Sequence, residues 1–296
     1  MTDAHPPEIA RLDDRSVVSV TGSDATSFLH GLTTANIEAI VPGAAGYAAL
    51  LSPQGKILFD FFVVNVGDGY LLDVAASQAP GLVKRLGMYR LRADVTIADR
   101  SADFDVAALI GSAGKVALPD AAIVFADPRL DDLGERAILA KSVGLQTEPG
   151  AAAAYRARRI ALAVPEAGAD FTLGEAVPHD VNFDDLGAVD FKKGCYVGQE
   201  IVSRMKHRGT ARRRLVIVAP TEVGTALPAA GTPITSGERE IGTLGSSADG
   251  EGLAILRLDW AREAIDAGTP ILAGDVALAV ELPAYAHFGW PERVAT

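Results

Sequence analysis

The chain has 296 residues, 49% of them hydrophobic, with a formal net charge of −11 and an isoelectric point near 4.9. Such a composition supplies a substantial core and excludes a disordered chain, and the acidic balance excludes a nucleic-acid binder that works through a broad cationic face. No apolar run reaches the roughly 18 residues of a membrane span, and the acidic, proline-bearing start MTDAHPPEIARLDD lacks the basic flank and apolar stretch of a signal peptide, so a cytoplasmic protein with no membrane partner is expected.

Ser16 to Val20 predicts a short strand, and Gly22-Ser23-Asp24 offers a cap for a helix over Ala25 to Leu32, where Phe28, Leu29 and Leu32 share a side. Tyr47 to Leu51, Lys56 to Val66 and Tyr70 to Val74 predict an antiparallel meander, reversed at Ser52-Pro53-Gln54-Gly55 and Gly67-Asp68-Gly69. A helix over Ala79 to Tyr89 and strands at Val95 to Ile97 and Val106 to Ile110 follow, so the first half is α+β without regular βαβ alternation. Ala151 to Leu162 predicts an amphipathic helix, and Pro178 to Phe191 is irregular. From Arg212 onward, short apolar runs at Leu215 to Val218, Glu240 to Leu244, Gly252 to Leu258, Pro270 to Leu272 and Val276 to Leu282 predict a compact all-β barrel or sandwich. The main domain boundary is expected near Gly209, dividing residues 1–208 from 209–296.

The most informative stretch is Phe191 to Arg214, FKKGCYVGQEIVSRMKHRGTARRR, with eight Lys or Arg residues against one Glu in an acidic chain. It holds the sole cysteine, Cys195, so one chain can build neither an intramolecular disulfide nor a four-thiolate cluster nor a zinc site. The histidines (His5, His30, His179, His207, His287) are scattered, and no permanent metal is expected. Cationic neighbours favour thiolate over thiol, which makes an exposed Cys195 a nucleophile or a ligand for a transferable group. Gly194 and Gly198 permit close backbone approach, and Gly198-Gln199-Glu200 can open a helix. Plainer readings stand beside these: Cys195 as a small buried hydrophobe, Glu200 with Arg204 as a surface i,i+4 pair, Tyr196 as packing, and Arg212-Arg213-Arg214 as a solvated strand edge. Gly114-Lys115 lacks the first glycine of a phosphate loop, and the paired acids Asp13-Asp14, Asp131-Asp132 and Asp184-Asp185 read as solvent-facing.

Lys193-Gly194-Cys195-Tyr196-Val197-Gly198-Gln199-Glu200 resembles the K-G-C-Y-x-G-Q-E signature of the YgfZ folate-binding proteins, and the likeness extends to Arg204, Arg208-Gly209-Thr210 and Arg213-Arg214-Leu215. Flanking segments agree, among them Leu50 to Lys56, Tyr89 to Arg92 and Pro178 to Asn182, while residues 111–150 match least. The resemblance implies a three-domain, aminomethyltransferase-like ring around a folate-sized cavity, with two intertwined subdomains before the barrel, one of them near residues 46–135. It implies tetrahydrofolate or a one-carbon derivative as cofactor, iron–sulfur client proteins as partners, and a role in assembling or repairing iron–sulfur proteins. By the same match Cys195 and Lys193 take the central, catalytic role, and Tyr196, Gly198, Gln199, Glu200 and Arg204 the cofactor side. A tetrahydrofolate-dependent aminomethyl or one-carbon transferase is the alternative. Against it, Ser77 to Gly81 carries no carboxylate where the transferases have an acid, and Arg159 to Ala163 lacks their glutamate. An RNA-binding module built on Lys192 to Arg214 is a third reading, disfavoured by net charge.

Overall fold

The computed structural model describes residues 8–111, 118, 122–209 and 211–292. Gly114-Lys115, Thr210 and His5 lie outside these. The described residues within 1–53, 58–155 and 187–199 form one unit, and those within 54–57, 156–186 and 200–296 a second.

The first unit begins with β1 (Glu8–Arg11), β2 (Arg15–Thr21) and helix α1 (Ala25–Leu32). The expected cap is used differently: Asp24 stands at the N-cap position, but its Oδ2 accepts from the Asp94 amide at 2.8 Å instead of capping its own helix. Gly22 has φ +114°, and a Cβ there would stand 2.2 Å from the Asp94 carbonyl oxygen, so only glycine fits this crossing. The predicted meander is present as β3 (Ala45–Leu51), β4 (Ile57–Asn65) and β5 (Gly69–Ala75), followed by α2 (Ala79–Arg90) and β6 (Thr96–Asp99). The sheet runs β3-β4-β5-β2-β6, so the early strand β2 sits between β5 and β6. Its face toward α1 and α2 carries Val18, Val20, Phe61, Val63 and Leu72, which pack with Leu29, Leu82 and Leu86. Each such side chain contributes about 1.5–3 kcal/mol on burial.

A second sheet has the order β1-β7-β9-β8, from β7 (Phe104–Ile110), β8 (Ile123–Ala126) and β9 (Glu135–Ala140). The strands β8 and β9 belong to the stretch where the family likeness is weakest. Helix α3 (Ala151–Ala161) follows.

In the second unit, after α4 (Gln199–Arg208), six strands close a barrel: β10 (Arg213–Pro220), β11 (Pro233–Ser236), β12 (Arg239–Ala248), β13 (Glu251–Arg257), β14 (Ile271–Ala273) and β15 (Val276–Glu281), in the order β10-β13-β12-β11-β14-β15. Register shifts between Ile234 and Thr235 and between Leu244 and Ser247 bend the sheet toward closure. The run expected as strand through Leu258 stops at Arg257, and Leu258 opens helix α5 (Leu258–Ala267), whose Leu258, Ala261 and Ala264 join Val216, Ile234, Leu256 and Ile271 in the barrel core. Among the described residues, no helix is long and apolar enough to cross a membrane.

Candidate functional site

The motif cysteine lies on a loop of the first unit that is anchored on both sides. Asp190 opens it: Oδ1 accepts from the amides of Lys192 (2.7 Å) and Lys193 (3.0 Å), the side-chain turn that aspartate favours. The Asp190 amide donates to the Thr34 carbonyl at 2.9 Å. The Thr34 hydroxyl, fully buried, donates to the Ala188 carbonyl (2.6 Å) and accepts from the Ala49 amide (2.8 Å), joining the loop to β3.

Lys193 points inward and is 8% exposed. Its ammonium donates to the carbonyls of His30 (2.5 Å), Thr33 (2.6 Å) and Ala35 (2.9 Å), at and just beyond the carboxyl end of α1. Helix ends leave such carbonyls without intrahelical partners and carry partial negative charge, so a buried cation is well matched there. The Tyr196 ring lies under the same ammonium, 5.2 Å from its centroid. Burial pulls Lys193 down to about 8, against the pull of Asp190 and Glu38, which leaves it mostly protonated at neutral pH. Burial, aided by Asp190, pushes Tyr196 up to about 12, so it is a neutral phenol; its hydroxyl has no hydrogen-bond partner among the described residues.

Between these inward residues Gly194 and Cys195 are exposed, and Cys195 is a free thiol. A Cβ at Gly194 would stand 3.9 Å from His30 Nε2, so the imidazole lies beside the loop. Gly198 has φ +82°, and the Gln199 amide bonds the Tyr196 carbonyl at 3.3 Å before α4 runs on. On α4, Glu200 and Arg204 are exposed and paired with each other, Val202 is buried, and Lys206, His207 and Arg208 occupy the last turn, where the helix dipole favours cations. The structure thus brings Lys193, Tyr196, Asp190 and His30 together around the thiol loop, while Glu200 and Arg204 form their own pair. Among the described residues no group of three potential metal ligands converges.

Two buried charge clusters carried weaker sequence signals. In the first unit, Asp73 is fully buried and receives Arg15 (2.7 Å) and Arg136 (2.6 Å). Tyr155 accepts from both Arg136 and Arg129, and Arg129 pairs with Asp127. The Phe62 ring lies 4.2 Å from the Arg136 guanidinium and 4.7 Å from that of Arg129. Burial works to raise the Asp73 carboxyl, but Arg136 and Arg15 outweigh it and hold it below the ordinary range. Asp60 behaves oppositely: burial dominates and raises it, despite the Tyr47 hydroxyl on Oδ2 at 2.7 Å, and its Oδ1 has no partner among the described residues. Asp60 is a buried acid raised by burial against the pull of Arg15, and its signal was an aspartate inside the apolar run Ile57–Asn65.

In the second unit, Asp184 corrects the solvent-facing expectation: its side chain is fully buried and bonded by both nitrogens of the Arg214 fork (2.6 and 3.0 Å), with Lys206 at 3.7 Å and His179 at 3.8 Å. Arg214 is likewise buried, unlike the exposed Arg212 and Arg213, because only it reaches this carboxylate. Asp13, Asp14, Asp131 and Asp132 are exposed as read.

A sheet body followed by a closed six-stranded barrel defines an aminomethyltransferase-like fold. The GCVT N-terminal domain profile matches residues 13–123, and the CAF17 C-terminal beta-barrel domain profile matches 212–288. The crystal structure of glycine cleavage system aminomethyltransferase T from Bartonella henselae superposes with a TM-score of 0.71 over 95% of this chain and 86% of that one, at 16% identity. Among sequence relatives, the human mitochondrial iron-sulfur cluster assembly factor IBA57 is 33% identical over 95% of this chain and 85% of its own length, and a Chaetomium globosum homologue is 31% identical over 92% and 77%. The chain belongs to the IBA57 family of iron–sulfur cluster assembly factors. The same relatives correct the cytoplasmic expectation, since their names place them in mitochondria. Composition reports compatibility with water, which a mitochondrial protein shares with a cytoplasmic one.

Proposed function

We propose that this protein serves the assembly or repair of iron–sulfur proteins, with Cys195 as its functional thiol, in the manner of the YgfZ proteins its motif resembles. The observation that carries the reading is an exposed sole cysteine on a doubly anchored loop in a chain of this family. One thiolate cannot hold a cluster alone, so the cargo cluster is shared with thiolates of a partner. As the Cys195 sulfur takes a place on iron, its proton leaves to solvent, and the donor thiolate it displaces takes one up. No electron moves.

A reduced folate, tetrahydrofolate or a one-carbon derivative, is the small-molecule ligand in this proposal, supported by the aminomethyltransferase-like fold. Tyr196, Gly198, Gln199, Glu200 and Arg204 remain its proposed contacts. The decisive experiment measures a radical iron–sulfur enzyme, such as a tRNA methylthiotransferase, in cells lacking this protein and supplied with wild type or Cys195→Ala. Rescue by wild type alone is expected; rescue by both would leave Cys195 without a part in the maintenance role. The fold also favours a second reading, a folate-dependent aminomethyl or one-carbon transferase. Methylene-tetrahydrofolate formed from an aminomethyl donor would establish it, and its absence with folate demonstrably bound would remove it.

A further inference from the structure

We propose that Lys193 is a positioning residue for Cys195: its ammonium, seated in the carbonyls at the end of α1, braces the loop so that the neighbouring thiol stands outward at a set place. The inference rests on the reading of Cys195 as the functional thiol and explains what the lysine two residues before it does.

The donor count matches the acceptors. An ammonium has three N–H groups, and the carbonyls of His30, Thr33 and Ala35 take all three. A lysine engaged in this way neither moves a proton at the thiol nor spends its hydrogens on a ligand. The three carbonyls converge on a point charge, a geometry that the planar fork of arginine does not reproduce. Withdrawing the cation strands buried carbonyls, each costly to leave unsatisfied.

The bracing is two-sided. Upstream, Asp190 holds the amides of Lys192 and Lys193 and is itself bonded to Thr34. Downstream, Tyr196 is buried beneath the ammonium, and Val197 packs on the core that contains Leu29 and Leu82. Only Gly194 and Cys195 remain exposed between these anchors. Charged groups facing the ammonium are Asp190 on its own loop and Glu38 on the segment after α1. A ligand shared between two proteins gains from such restraint, because less conformational freedom is lost when the bridge forms.

Because Cys195 is the sole cysteine, a nitroxide attached to it reports on this site alone. Electron paramagnetic resonance of the labelled full chain should show a restrained label in wild type and several-fold faster motion in Lys193→Met. Asp190→Ala, which keeps the ammonium in its cradle, should show a smaller increase and supplies the test if Lys193→Met does not fold. A merely structural lysine would lower the unfolding midpoint and leave the label's motion unchanged; a Lys193→Met spectrum that overlays wild type, or an Asp190→Ala spectrum that does so where Lys193→Met does not fold, overturns the proposal. On unlabelled protein, [2Fe–2S] reconstitution with glutathione supplying the remaining thiolates should load Lys193→Met about tenfold less than wild type. Cys195→Ser separates the two ideas. If it loads like wild type while Lys193→Met frees the label, the thiol's cluster role falls and the brace stands; if it abolishes loading while the Lys193→Met spectrum overlays wild type, the brace falls and the thiol role stands.

Discussion

Lys193 and Arg136 are both buried cations of the first unit, yet they are satisfied by different partners. Arg136 meets the carboxylate of Asp73 together with Arg15, whereas Lys193 meets neutral backbone carbonyls at a helix end. A buried cation paired with a carboxylate couples two charges that each lose hydration, so removing one strands the other. A cation seated on carbonyls strands only dipoles when it goes. The first arrangement therefore bears on the whole unit and the second on a loop.

The sharpest way to break this comparison is Asp73→Asn, which leaves Arg15 and Arg136 buried without their carboxylate. A loss of about 3–5 kcal/mol is expected in denaturant unfolding, and a loss below about 1 kcal/mol would show that the cluster is not held by charge.

The second unit extends the comparison through His179, which burial chiefly pulls from 6.5 to about 4, Asp184 opposing and Arg214 and Lys206 assisting. The folded ring binds its proton more weakly than the unfolded one, so unfolding takes up a proton between these values. Stability fully present above pH 6.5 should fall as pH drops toward 4, by on the order of 3 kcal/mol. Thermal unfolding across that range, with His179→Gln flattening this contribution, checks it.

Lys193→Met should cost less, about 1–3 kcal/mol in global unfolding, with the larger effect on hydrogen exchange of the Asp190 and Lys193 amides. Equal losses for Lys193→Met and Asp73→Asn would erase the distinction. Smaller still, Glu200→Gln breaks an exposed i,i+4 pair and should change stability by no more than about 0.5 kcal/mol. Cys195→Ser should be as mild in unfolding, within about 0.5 kcal/mol, because the exposed thiol supports no packing; its effect belongs to the activity assay.

The sequence revealed much of the first unit where local pattern and tertiary need agree. Helix α1 falls on its predicted residues because the spacing of Leu29 and Leu32 matches the face it buries. The β3-β4-β5 meander follows from turns that only Gly, Pro, Asn and Asp types make easily. Strand β9 escaped because Glu135 and Arg136 open it with charge where an apolar run is sought, and α5 escaped because it lies between two strands of the barrel. At the site, the motif marked the loop, but the residue types alone did not tell an inward Lys193 from an outward Lys192.

By itself the sequence determined the α+β body, the barrel after Gly209 and a lone thiol within a cation-rich stretch, because periodicity, turn chemistry and counting are local properties. Tertiary structure alone decided that Cys195 is exposed, that Lys193 serves the end of α1, that Asp184 is buried, and that Asp73 gathers two arginines. Each of these pairings joins residues 30 to more than 160 positions apart. Burial and charge neutralisation of that kind are set by which surfaces meet, and no local pattern records it.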